Sequence, residues 1–202
     1  MKGIDRADSI TFDAHKQLYV PMGAGMVVFK DDQYVEAIKQ SAKYVIRSGS
    51  HDLGKFTVEG SRPGMALLVH SALHIIGKYG FEMLIDRGIK KAKTFAKLIS
   101  EQEDFEIVTE PETNILTYRY NPKKGQAFDL DTHQKLNELT VAIQKTQREN
   151  GKTFVSRTTL KPERFNFRET IVFRVVLANP LTDSAIFEQI LKEQREIALR
   201  LY

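Results

Sequence analysis

Cysteine is absent from the 202 residues. That excludes a disulfide framework, a thiolate metal centre and any nucleophilic or redox chemistry run by a thiol. Long apolar runs are missing too. No window reaches the roughly 18 apolar residues of a membrane-crossing helix, and the opening MKGIDRADSITF has no apolar core of signal-peptide length. Charge of one sign is scarce in excess: 30 basic against 26 acidic residues leave a formal +4, too mild to point to nucleic acid. These absences lead to the expectation of a soluble, cytoplasmic protein with no membrane or nucleic-acid partner. What is present is an ordinary globular balance, 42% hydrophobic and 28% charged, in a chain long enough for one domain or two small ones.

Residues 8–13 (DSITFD) and 24–29 (AGMVVF) read as short, largely buried strands, with Pro21, Gly23 and Gly25 breaking the run between them. Asp31 and Asp32 suit the positive end of a helix predicted over 33–40. Periodicity lapses over 41–60, which contains Tyr44, Arg47, Gly49, Gly54 and Gly60. Structureless segments of this length in compact domains are generally functional, so this one is a candidate active-site loop. In SRPGMALLVHSALHIIGKYG, Ser61 is placed to cap a helix and Pro63 to sit in its first turn. Met65, Leu68, Val69, Ala72, Ile75 and Ile76 predict that this helix is buried. A second helix is predicted over 81–101, with Lys90, Lys91, Lys93 and Lys97 forming a solvated flank. After residue 102 the pattern becomes that of a smaller α+β unit. Strands are predicted at 105–108, 115–120, 153–160 and 170–178. A helix is predicted over 132–149, closed by Asn150-Gly151, and a last one over 183–200, capped by Thr182. The expected division is 1–80 and 81–202.

Five positions invite chemistry. Lys16, in DAHKQ, needs an account because an ammonium is costly to bury unless paired. Either it lies in an exposed loop between the strands, or it stands at the carboxyl end of a strand, desolvated enough to be a nucleophile toward a carbonyl cofactor. His70 and His74 share a helical face, but Ser-Ala-Leu between them lacks the glutamate of the zinc-protease pattern. Helix packing explains the pair better than a metal, and no metal is expected. Arg174 interrupts TIVFRVVLA, a run that otherwise reads as a strand buried on both faces. A buried guanidinium keeps its charge and demands an anion, either a carboxylate of the protein or a substrate carboxylate gripped by its fork. Arg62, in EGSRPG at a helix start where backbone N–H groups favour anions, binds one or pairs with Glu59.

Three segments, ADSITFDAHKQLYVPMGAGMVVF, EGSRPGMALLVHSALHIIGKYGFE and IVFRVVLANP, succeed one another across most of the chain. The first resembles the cofactor-lysine segment of the group II pyridoxal-phosphate-dependent amino-acid decarboxylases. The second resembles the helix after that family's mobile loop, and the third its small-domain strand carrying an arginine. The resemblance implies an α/β chain that is the C-terminal part of a PLP-dependent transferase fold of type I. Residues 1–80 would be the tail of the large-domain sheet and 81–202 a small α+β domain. Pyridoxal 5′-phosphate is the implied cofactor. The implied reaction is decarboxylation of an amino acid of glutamate, aspartate or 2,4-diaminobutyrate type, in a homodimer with shared active sites.

Carried over residue by residue, the resemblance makes Lys16 the lysine bound covalently to the cofactor aldehyde. His15 then lies near the phosphate, with Ser61 also on the cofactor side. Tyr44 is the catalytic loop tyrosine that reaches the partner subunit's site, and Arg174 and Arg62 face the substrate carboxylate. Asp13 falls where many relatives have an asparagine facing the phosphate; a carboxylate there repels a phosphate unless a donor intervenes. The carboxylate that keeps the cofactor ring protonated belongs well upstream of the lysine, and only fifteen residues precede Lys16. The chain is therefore expected to be a C-terminal portion, inactive alone. Two other readings are another reaction on the same fold, such as transamination or desulfurisation, and a truncated product without catalysis.

Overall fold

A computed structural model describes residues 2–40, 49–57, 61–126 and 129–201. They form two compact units, Met1–Phe81 and Glu82–Tyr202.

In the first unit β1 (Ser9–Asp13) and β2 (Gly25–Phe29) pair antiparallel, with Ile10 opposite Val28 and Phe12 opposite Met26. Between them lies α1 (Ala14–Gln17), a single helical turn that leaves no periodic trace in the sequence. The helix predicted over 33–40 is shorter, α2 (Gln33–Glu36), with Asp31 Oδ1 accepting from the Gln33 N–H at 2.8 Å. Ala14, Val20 and Ala24 form a small core with Val69 of α3 (Met65–Ser100). The two strands are not the buried ones expected: Val27 and Val28 are 50% and 54% exposed. A two-stranded ribbon has too little sheet to shield its own faces.

The helix expected to open at Ser61 begins at Met65, so Ser61 does not cap it. The residue before a proline is disfavoured in helical geometry and glycine is a poor helix former, so Arg62-Pro63-Gly64 delays the start. The first half of α3 is not buried either; Leu67, Ile75 and Tyr79 are exposed. His70 and His74 stack with ring centroids 6.1 Å apart but are exposed rather than packed in a core. The two predicted helices lie end to end within α3, broken at Gly77 (φ 69°, ψ 171°), whose backbone is not helical, near the expected joint.

The second unit is built on an antiparallel sheet of β3 (Phe105–Thr109), β4 (Ile115–Tyr120), β5 (Ser156–Leu160) and β6 (Thr170–Val176), in the order β3-β4-β6-β5. Strand alternation sends Leu116, Tyr118, Tyr120, Phe173 and Val175 to one face. There they form the main core with Phe95 and Ile99 of α3, Ile143 of α4 (Leu130–Asn150) and Phe187 and Leu191 of α5 (Ser184–Leu201). Helix α4 ends as Asn150-Gly151 predicts, with Gly151 left-handed at φ 69°. Helix α5 is capped by Asp183, whose Oδ1 accepts from the Ile186 N–H at 3.1 Å, and not by Thr182. The lysine flank holds for Lys90, Lys93 and Lys97, which are exposed. Lys91 instead donates to the carbonyls of Asn179 (3.1 Å) and Pro180 (2.7 Å).

A chain of polar groups threads this core. The Tyr118 hydroxyl donates to Gln194 Oε1 (3.0 Å), Gln194 Nε2 to Gln147 Oε1 (3.1 Å), Gln147 Nε2 to Thr153 Oγ1 (2.7 Å), and Thr153 Oγ1 to Glu193 Oε2 (2.5 Å). Burial raises the pKa of the Tyr118 phenol, so it stays a donor. On the opposite face Arg119 is buried, paired with Glu106, with its guanidinium 4.4 Å from the centre of the Phe165 ring. Its Nη1 donates to His133 Nδ1 at 3.3 Å, and His133 Nε2 donates to the Glu169 carbonyl at 3.1 Å.

The packing of this unit can be tested at two positions. A Cβ at Gly88 of α3 would stand 2.8 Å from the Leu177 carbonyl oxygen and 3.3 Å from Asn114 Cβ. Gly88→Ala should therefore lower stability by about 1–3 kcal/mol in chemical denaturation. His133 is held below its ordinary 6.5, first by burial and then by the Arg119 charge, outweighing the Glu169 hydrogen bond. The unfolded state then binds a proton more readily than the folded one. Stability should fall as pH drops from about 6.5 through the lower folded value, and His133→Gln should flatten that part of the curve.

Candidate active site

The site is assembled where β1 runs into α1. The Ala14 N–H donates to the Ala24 carbonyl at 3.0 Å, and His15 Nδ1 stands 3.2 Å from the same oxygen. A carbonyl only accepts, so Nδ1 carries the proton of this contact. At the other end of the turn the Tyr19 N–H donates to the Lys16 carbonyl and the Val20 N–H to the Ala14 carbonyl, both at 3.4 Å. Tyr19 is left-handed at φ 55°, an uncommon and strained conformation for an aromatic residue.

This turn presents Lys16 outward. Its side chain is 66% exposed, and Nζ is hydrogen-bonded to Asp13 Oδ2 in an i,i+3 ion pair. The Lys16 hydrogen bond, reinforced by its charge, holds the Asp13 carboxyl below the usual carboxylate range. Within this unit the amine is exposed.

Asp13, His15 and Lys16 are thus brought together. Ser61 and Arg62 are exposed in the stretch leading to α3, and Glu59, the alternative partner of Arg62, lies outside the described residues, as does Tyr44. Arg174 belongs to the second unit. It sits on β6 between Thr117 of β4 and Ser156 of β5 and is half-buried rather than enclosed on both faces. Among the described residues it has no ion pair, which removes the internal carboxylate as its partner there. No group of three or more His, Asp or Glu residues among those described could hold a metal. Sequence reasoning missed Ala24, whose contribution is a backbone oxygen, and Tyr19, whose residue type gives no sign of a left-handed turn. The glycines flanking Ala24 were the available signal.

These residues fit the carbonyl end of a pyridoxal-type cofactor. A primary amine stands accessible on a turn pinned to the neighbouring strand, beside an imidazole.

Residues 1–121 match the model of the pyridoxal-dependent decarboxylase conserved domain. The chain is 54% identical over 206 aligned residues to aspartate 1-decarboxylase of Aliivibrio fischeri, covering 98% of this chain and 38% of that protein. It is 31% identical to aromatic-L-amino-acid decarboxylase of Bacillus atrophaeus, covering 98% and 40%. Among solved structures, mouse CSAD superposes with a TM-score of 0.84 at 22% identity, covering 98% of this chain and 41% of that one. With the lysine-bearing turn inside the matched segment, the chain belongs to the pyridoxal-dependent decarboxylase family. It spans about two fifths of the length of the relatives it matches, and its fold is part of the PLP-decarboxylase fold of type I, as the resemblance implied.

If Lys16 is the carbonyl-binding residue, borohydride treatment of the complete enzyme with its cofactor, followed by peptide mapping, should find the label on the peptide containing Lys16. Label confined to another lysine would remove it from that role.

Proposed function

We propose that the chain is the lysine-bearing, C-terminal share of a pyridoxal-5′-phosphate-dependent L-amino-acid decarboxylase. Aspartate is the foremost substrate, with glutamate and 2,4-diaminobutyrate in the same class. The observation that carries this reading is the accessible Lys16 amine, fixed through Ala24 inside a segment that matches the decarboxylase family. The name of the 54% identical relative supports aspartate.

When bound, the cofactor accepts the electron pair left behind as CO₂ departs from the substrate. The chain's own residues do the rest. Lys16 would hold the cofactor through its amine. His15 orients the turn and would help hold the cofactor near its phosphate, with Asp13 and Ser61 as further cofactor-side residues. Arg174 offers a half-buried guanidinium, without an ion pair among the described residues, whose planar fork suits a carboxylate, with Arg62 as a second cation. Tyr44, which lies outside the described residues, would return a proton to the substrate Cα. A homodimer with shared active sites and a cytoplasmic location belong to the same reading. The exposed Leu67, Ile75 and Tyr79 support a larger assembly, since apolar side chains gathered on one segment favour being covered.

The decisive experiment is product analysis on the complete enzyme with L-aspartate. Release of CO₂ with retention of the amine supports decarboxylation, whereas a keto acid would point to transamination. In the same enzyme Tyr44→Phe should lower turnover by about 10²–10⁴-fold with little change in substrate binding. Arg174→Lys should raise KM, because a point charge replaces a fork. Unchanged KM with a lowered melting temperature would make Arg174 structural.

A further inference from the structure

We infer that Asp13 is a positioning residue for Lys16, holding its ammonium through the i,i+3 ion pair until a carbonyl compound takes the amine away. This rests on the reading of Lys16 as the carbonyl-binding residue, and it gives Asp13 a role different from a phosphate contact.

The geometry is local and specific. Asp13 is the last residue of β1 and Lys16 lies in the next turn, α1, so strand end and helical turn bring carboxylate and ammonium together. The turn cannot easily relax away from this arrangement. Ala14 and His15, the two residues between the partners, are both fastened to the Ala24 carbonyl. An ammonium donating to a carboxylate has no lone pair to offer. To react, Nζ must leave Asp13 and release a proton to solvent. The lone pair then adds to the aldehyde carbon, and the carbonyl oxygen departs as water with the two remaining nitrogen protons. The ion pair therefore competes with carbonyl capture. Both partners are substantially exposed, the side chains 66% and 42%, so the competition is modest and sensitive to salt.

The pair also answers the difficulty that a carboxylate at this position presents to a phosphate. A carboxylate occupied by an adjacent ammonium forms a neutral couple, and the negative charge turned toward an incoming anion is reduced. Once Lys16 is engaged elsewhere, Asp13 is released and must find another donor.

The test uses the 202-residue chain with propanal as probe and cyanoborohydride as trap. The reductant delivers hydride to the imine carbon, solvent supplies the proton to nitrogen, and peptide mapping reads propylation site by site. Asp13→Asn should speed capture at Lys16 by about two- to five-fold without changing capture at the exposed Lys93. Asp13→Glu should behave like the native chain. Added salt should accelerate capture at Lys16 in the native chain and have little effect in Asp13→Asn. Equal or slower capture in Asp13→Asn, or an identical salt response in both, would overturn the proposal. If Asp13→Asn disturbs the hairpin, the native chain alone decides: a Lys16-to-Lys93 ratio that does not move with salt sinks the idea. Repeating the series with pyridoxal 5′-phosphate separates this proposal from the one it rests on. In the complete enzyme, loss of any preference of that aldehyde for Lys16 counts against the decarboxylase reading, while the propanal series still reports on Asp13.

Discussion

The placement of Lys16 depends on a single carbonyl oxygen. Ala24 receives the backbone N–H of Ala14 and the imidazole N–H of His15, and so fixes the two residues that precede Lys16. Ala24 is itself buried, against Ala14, Val20 and Val69. Two hydrogen bonds to one buried acceptor, each worth about 1 kcal/mol net, thereby orient a side chain that neither of them touches. The small side chains at positions 14 and 24 are what permit the two segments to lie so close. A larger residue at either would push the turn away from β2 and move the amine with it.

The two units differ in how complete their cores are. The second closes its sheet under three helical segments and satisfies most of its buried polar groups. The amide nitrogen of Asn114, beside Gly88, is a buried exception among the described residues. The first leaves a two-stranded ribbon with half-exposed valines and an outward row of apolar side chains on α3. The chain spans about two fifths of the length of the related decarboxylases it matches.

That contrast also separates what could be read in the sequence from what could not. The central strand at 115–120 was legible because alternation and β-branched and aromatic residues agree there, and the end of α4 was legible because Asn-Gly has one strong structural meaning. Burial of β1, β2 and the first half of α3 was misjudged because hydrophobicity records which residues want cover, not whether the cover lies in the same segment. Turn α1 escaped because four residues carry no period. The start of α3 was misplaced because Ser61 is a good cap in isolation, while Pro63 and Gly64 set where the helix can begin. For Arg174 the strand was apparent, but the identity of an ion partner is a long-range fact that local pattern does not encode.

The polar chain from Tyr118 to Glu193 has a direction. Every member donates toward the carboxylate, so the hydrogen-bond polarity of the second core is set from one terminus. Replacing Tyr118 by Phe strands one amide oxygen, which retains some tolerance because carbonyl-type acceptors are the less costly groups to leave unpaired. Removing the carboxylate at Glu193 acts at the opposite end: Thr153 must turn its proton elsewhere, and each amide behind it is invited to flip. These five residues therefore behave as an oriented circuit rather than as four independent contacts, and a sequence that drifts at Glu193 has to redraw the remainder together.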